Sequence, residues 1–105
     1  MNTPVSYSIA KLLDSKGVRF ENGQDMAIWW AKEILIRPTI ADVVMWLYEK
    51  HGIWISVKKD YHNGALLGFE SMIDNEDGFI DCGTFDTSNE AYEAAIEYTL
   101  NSLIN

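Results

Sequence analysis

One cysteine, Cys82, and two histidines, His51 and His62, are the residues best suited to chemistry in this chain. A catalytic thiol needs a base and an electropositive setting that holds it as thiolate. Cys82 instead has Asp81 and Asp86 as its charged sequence neighbours, and carboxylates raise a thiol pKa. The expectation is a small, half-buried strand thiol. A metal site from Cys82, His51 and His62 lacks paired ligands at fixed spacing. The run Asp74-Asn75-Glu76-Asp77-Gly78 superficially resembles a calcium loop, but it fails on register. With Gly78 at the sixth position, Ile73 takes the first and Thr84 the twelfth, where carboxylates are required. There is no glycine-rich phosphate loop, nucleophile elbow or paired-histidine zinc motif. Carboxylate pairs are so common in this chain that their presence selects no site. The expectation is no catalytic residue, no metal and no cofactor.

The tryptophans are the compositional oddity. Trp29, Trp30, Trp46 and Trp54 all lie between positions 29 and 54. Trp46 falls on the apolar face of a helix and is expected in the core. Adjacent tryptophans cannot both point fully inward, so one of Trp29 and Trp30 is expected at the surface. Trp54 alternates with Ile53 and Ile55 and is expected on the opposite strand face. Aromatic side chains are enriched at interfaces. Trp29, Trp30 and Trp54 are therefore the candidate contact residues, for a protein partner or a second copy of the chain.

Charge is divided unevenly. All eight Lys and Arg fall in residues 1–59, which carry six acids; residues 60–105 carry ten acids and no Lys or Arg. There is no basic stripe, so direct nucleic-acid binding is not expected. The acids read first as a solvated surface. A sharper reading is a face that docks a basic partner, or an acidic DNA mimic that blocks a nucleic-acid-binding protein. A helix followed by a hairpin, Thr39 to Ile73, also suggests a winged DNA reader, but only Lys58 and Lys59 supply charge there. One cysteine, no signal-peptide pattern at Met1-Asn2-Thr3-Pro4 and apolar runs broken by charges point to a cytoplasmic, reducing setting without a membrane span.

The elements that must position these residues follow from periodicity and punctuation. The chain of 105 residues is read as a single domain, 1–105. A first helix is expected from about Pro4 to Lys16, capped by Thr3, with Val5, Ile9, Leu12 and Leu13 in one stripe and Gly17 ending it. Residues 19–37 are ambiguous, with a short strand expected near Ile34–Arg37. Thr39 and Asp42 suggest a capping box for a second helix that Gly52 closes. Ile53, Ile55 and Val57 alternate as a strand, and Leu67, Phe69, Ser71 and Ile73 as its partner. A two-residue Asn63-Gly64 turn would set Val57 against Glu70. A three-residue loop, His62 to Gly64, is expected instead, pairing Tyr61 with Ala65, Val57 with Phe69 and Ile53 with Ile73. Asp74 to Gly78 reads as a turn, Phe79 to Phe85 as a third strand, and Thr87 with Glu90 as the capping box of a last helix, about Ser88 to Leu103. Tyr92, Ala95, Ile96, Thr99, Leu100 and Leu103 line its apolar side. The expected fold is α+β, a small antiparallel sheet with about three helices packed on it.

Three stretches carry a resemblance: Val5-Ser6-Tyr7-Ser8-Ile9-Ala10-Lys11-Leu12-Leu13, Pro38 through Ile53, and Asn89-Glu90-Ala91-Tyr92-Glu93-Ala94-Ala95-Ile96-Glu97-Tyr98. Together, over about half the chain, they resemble a family of small uncharacterised proteins from gut Bacteroides and their phages or prophages. The resemblance includes no catalytic motif. It implies a bacterial or phage cytoplasmic setting and no site residue. The functional expectation is a non-enzymatic interaction or accessory protein, with self-association as one form of it. The alternatives are the acidic DNA mimic and a small enzyme using Cys82 or a carboxylate pair.

Overall fold

The computed structural model describes residues 3–18 and 38–104. In chain order these form α1 (Tyr7–Ser15), α2 (Ile40–His51), β1 (Trp54–His62), β2 (Ala65–Asn75), β3 (Gly78–Phe85) and α3 (Ser88–Tyr98), with a π-helical turn over Thr99–Leu103. The fold is α+β: a three-stranded antiparallel sheet in the order β1-β2-β3, with three helices packed on it. The strand expected near Ile34–Arg37 lies outside the described residues.

The first helix starts later than its sequence suggests. Thr3 does not cap it. Pro4 forms an antiparallel bridge with Thr39, in which the Val5 amide donates to the Pro38 carbonyl and the Ile40 amide to the Thr3 carbonyl, both at 2.9 Å. The two bonds come from the neighbours of the bridged pair, so the missing N–H of Pro4 costs nothing. Ser6 is the cap instead, its hydroxyl accepting from the Ile9 amide at 3.3 Å. At the other end, the Gly17 amide donates to Asp14 and the Val18 amide to Leu13. That Schellman closure turns Val18 back onto the core beside Leu13.

Both arms of the capping box form on α2. The Asp42 amide donates to the Thr39 hydroxyl and the Thr39 amide to the Asp42 carboxylate, each at 3.1 Å. On α3 only one arm forms, the Glu90 amide donating to Thr87. The last helix was expected to run regularly to Leu103. It ends at Tyr98 and widens, with the buried Thr99 hydroxyl donating to the Ala95 carbonyl and the Ile104 amide reaching Thr99. The wider turn buries Leu100 and Ile104 in the core together.

The central hairpin departs from expectation at its turn. Asn63 and Gly64, at φ of 51° and 80°, form a two-residue turn that pairs His62 with Ala65. Two successive left-handed residues match the twist of the flanking strands. Tyr61 therefore pairs with Leu66, not Ala65; Val57 with Ser71, not Phe69; and Ile55, not Ile53, with Ile73. An uninterrupted ladder from this turn would set Val57 against Glu70 and invert the apolar face. A β-bulge prevents that. Asp60 pairs with Gly68, leaving Leu67 as the extra residue, and Ile55, Ile73 and Ile80 then share one inward row.

Gly68 makes the bulge possible. Its φ is 154°, and a Cβ there would lie 2.5 Å from the Phe85 carbonyl oxygen and 2.9 Å from Thr84 Cγ2. With no side chain in the way, the Thr84 hydroxyl donates across the central strand to the Asp60 carboxylate at 3.2 Å. The inward row packs under α3, while α1 and α2 close the core with Ile9, Leu13, Ile40, Val43, Val44 and Leu47.

Gly68→Ala is expected to cost about 3 kcal/mol or more, because backbone must move. Gly83→Ala, also at positive φ (101°) but in open space, is expected to cost about 1 kcal/mol. At about 4–8 °C per kcal/mol for a chain of this size, thermal unfolding separates them clearly. Equal losses would show that the approach to Phe85 is not limiting.

Candidate interaction surface

The inward row of Ile55, Ile73 and Ile80 forces its neighbours outward, because strand side chains alternate faces. The next row, Trp54–Asp74–Phe79, therefore stands on the sheet face opposite the core. Trp54 is 40% exposed and Phe79 71%. Tyr48, exposed on the last turn of α2, meets Trp54 edge-on, with centroids 5.4 Å apart and planes at 80°. The following row is Ser56–Met72–Asp81, with Met72 half-buried. Trp54 and Phe79 thus flank one carboxylate, Asp74, at one end of the sheet, and Tyr48 stands against Trp54. Edge-on ring pairs are a favoured geometry, so Tyr48 steadies Trp54 while leaving it accessible.

Trp54 is exposed on the strand face where alternation placed it. Trp46 is half-buried against the core, its ring edge-on to His51 at 5.1 Å. Trp29 and Trp30 lie outside the described residues. Phe79 and Tyr48 were missed as candidates. Phe79 had a usable signal, since Ile80 faces inward and its neighbour must face out. Tyr48 had none, because a broad apolar helix face does not reveal its own rim.

The chemistry-bearing side chains are dispersed. His51 ends α2 beside the start of β1, and His62 is at the far end of β1, roughly 26 Å away at about 3.3 Å per residue. Cys82 is the extra residue of a second bulge, where Ser71 pairs with Gly83 and Met72 with Asp81. Burial pushes its thiol pKa up, the Ser71 hydroxyl pulls it back, and the Asp81 charge adds to the rise. That hydroxyl is itself buried, with no partner at full hydrogen-bond geometry among the described residues. Asp74 and Asn75 lie in strand, and the turn is only Glu76-Asp77, braced by the Asp77 amide donating to Asn75 Oδ1 at 2.9 Å. Among the described residues, no group of three His, Cys, Asp or Glu side chains is placed to hold a metal ion. Among them also, no helix is long and apolar enough to cross a membrane.

A groove of about 420 Å³ lies on the other side of the molecule, between the N-terminal segment and α3. Pro4, Ile40, Phe85 and Ala94 give it an apolar lining, and Glu90, Glu93 and Glu97 border it. Glu93 is tied down, its carboxylate accepting from the Ser6 amide at 2.6 Å. No protein-family model, curated protein or solved structure matches this chain. Its own residues carry the functional reading.

The Cys82 environment generates a reactivity expectation. Alkylation of the folded protein at neutral pH should be slower than that of a small unhindered thiol, and should keep rising at pH values where the small thiol has reached its plateau. Denaturant should abolish the difference. Rapid labelling of the folded chain at neutral pH would contradict a protected, protonated thiol.

Proposed function

We propose that the chain is a non-enzymatic protein-interaction module, and that its contact surface is the aromatic end of the outer sheet face: Trp54 and Phe79 on either side of Asp74, with Tyr48 against Trp54. The observation that carries this reading is the exposure of Trp54 and Phe79 in one strand row with a carboxylate between them. Large exposed rings lose more than they gain in water, and aromatic anchors surrounded by polar groups suit protein contacts. The complementary partner presents an Arg or Lys that stacks on Trp54 and meets Asp74, flanked by apolar side chains.

The DNA-mimic alternative is supported only by net charge. Glu70 is within 3.6 Å of the Lys58 ammonium, Asp60 accepts from Thr84, and Glu93 accepts from Ser6. Those carboxylates serve groups of the chain itself rather than a regular external pattern. Among the described residues, Cys82, His51 and His62 are far apart along the fold, so the cysteine form of the enzymatic alternative has no base beside its thiol.

Affinity capture from bacterial lysate tests the proposal. A specific protein should be retained by the wild type and by Cys82→Ala, and lost by both Trp54→Ala and Phe79→Ala. The complex should survive about 1 M salt, where the Debye length is about 3 Å. A complex that dissolves in salt and ignores both aromatic substitutions would favour the acidic mimic instead.

A further inference from the structure

The β1–β2 hairpin outruns its sheet. β3 stops at Phe85, opposite Phe69, so beyond Asp60 and Gly68 no other described strand pairs with the hairpin out to its turn. Such a ribbon is marginal alone in water. Its side chains make it more so: Tyr61, Leu66 and Leu67 are all exposed, Leu67 at 58%. Lys59 stands on the same strand face as Tyr61, two residues along, and is also exposed. The arm is thus an apolar knob with a cation at its root.

The acid-bordered groove adjoins that root, since Phe85 both pairs with Phe69 and lines the groove. The apolar lining matches the knob, and the bordering glutamates match the lysine. Lys59, Glu90 and Glu97 are all exposed and make no ion pair among the described residues. We propose that two copies of the chain exchange arms, each seating Tyr61, Leu66 and Leu67 in the other's groove, with Lys59 against Glu90 and Glu97. A two-fold exchange forms both contacts twice and closes the assembly at a dimer. This surface is separate from the aromatic end around Trp54, so the two proposals stand or fall independently.

Sedimentation equilibrium across a concentration series tests it on the full chain. The wild type should approach twice its 12.0 kDa monomer mass, and its Tm should rise with concentration. Tyr61→Ser with Leu67→Ser should be monomeric at every concentration, with a circular dichroism spectrum like that of the wild type. Because this pair could disturb the hairpin itself, charge exchange supplies the second arm of the test. Lys59→Glu should weaken the dimer about tenfold or more, and adding Glu90→Lys and Glu97→Lys should restore it. A wild type that remains monomeric throughout would overturn the proposal. So would a dimer indifferent to Lys59→Glu, or one lost through Trp54→Ala alone.

Discussion

The inward row of Ile55, Ile73 and Ile80 is the constraint on which the rest of the molecule depends. An antiparallel strand has only two faces, and the helices can cover one of them. The central strand β2 must satisfy this alternation against both neighbours while joining β1 through a turn whose own geometry favours the wrong register. The extra residue Leu67 resolves the conflict on one side, and Cys82 adds a second adjustment on the other. Gly68 is the residue that lets the first adjustment fit beneath Phe85 and Thr84.

Both surfaces of interest are by-products of that solution. With α3 on the inner face, no helix among the described residues lies over the row Trp54–Asp74–Phe79. With the bulge at Asp60, the hairpin continues beyond the point where β3 can follow. One end of the sheet therefore presents rings around a carboxylate, and the other presents an arm beside an acid-bordered groove. Charge follows the same division. The lysines of β1 lie at the arm's root, whereas α3 faces the groove with glutamates and has no lysine or arginine of its own.

Much of this architecture was legible in residue types. Thr39 with Asp42, and Gly17 and Gly52 after the apolar stripes, marked helix boundaries through chemistry that is local to a few residues. The first two strands were legible as alternation, and the third from its place between the Asp77-Gly78 turn and the Thr87 cap. Trp54 was legible as an outward residue for the same reason. Failures occurred where distant chain segments decide. Pro4 looked like a helix start until Thr39 and Ile40 were available to bridge its neighbours. In the hairpin, apolar residues must share a face, a requirement that a three-residue loop would meet and that the chain meets with a bulge. The signal was present in Leu66-Leu67-Gly68, an apolar doublet and a glycine that interrupt the alternation. The groove was invisible, because Pro4, Ile40, Phe85 and Glu97 meet only after folding.

The bulge at Cys82 has one more consequence, for what the sheet cannot do. Among the described strands β1 and β3 are both edges, and an open edge can recruit further strands. On β3 the unpaired extra residue breaks the regular spacing of outward N–H and C=O groups midway along the strand. Gly83 follows with its backbone in the left-handed region. On β1 the central stretch carries Lys58, Lys59 and Asp60, which keep hydration along that border. Growth of the described three-stranded sheet by edge addition is thereby discouraged on either side. A chain with exposed rings and an exposed apolar arm can then make selective contacts without becoming a seed for fibres.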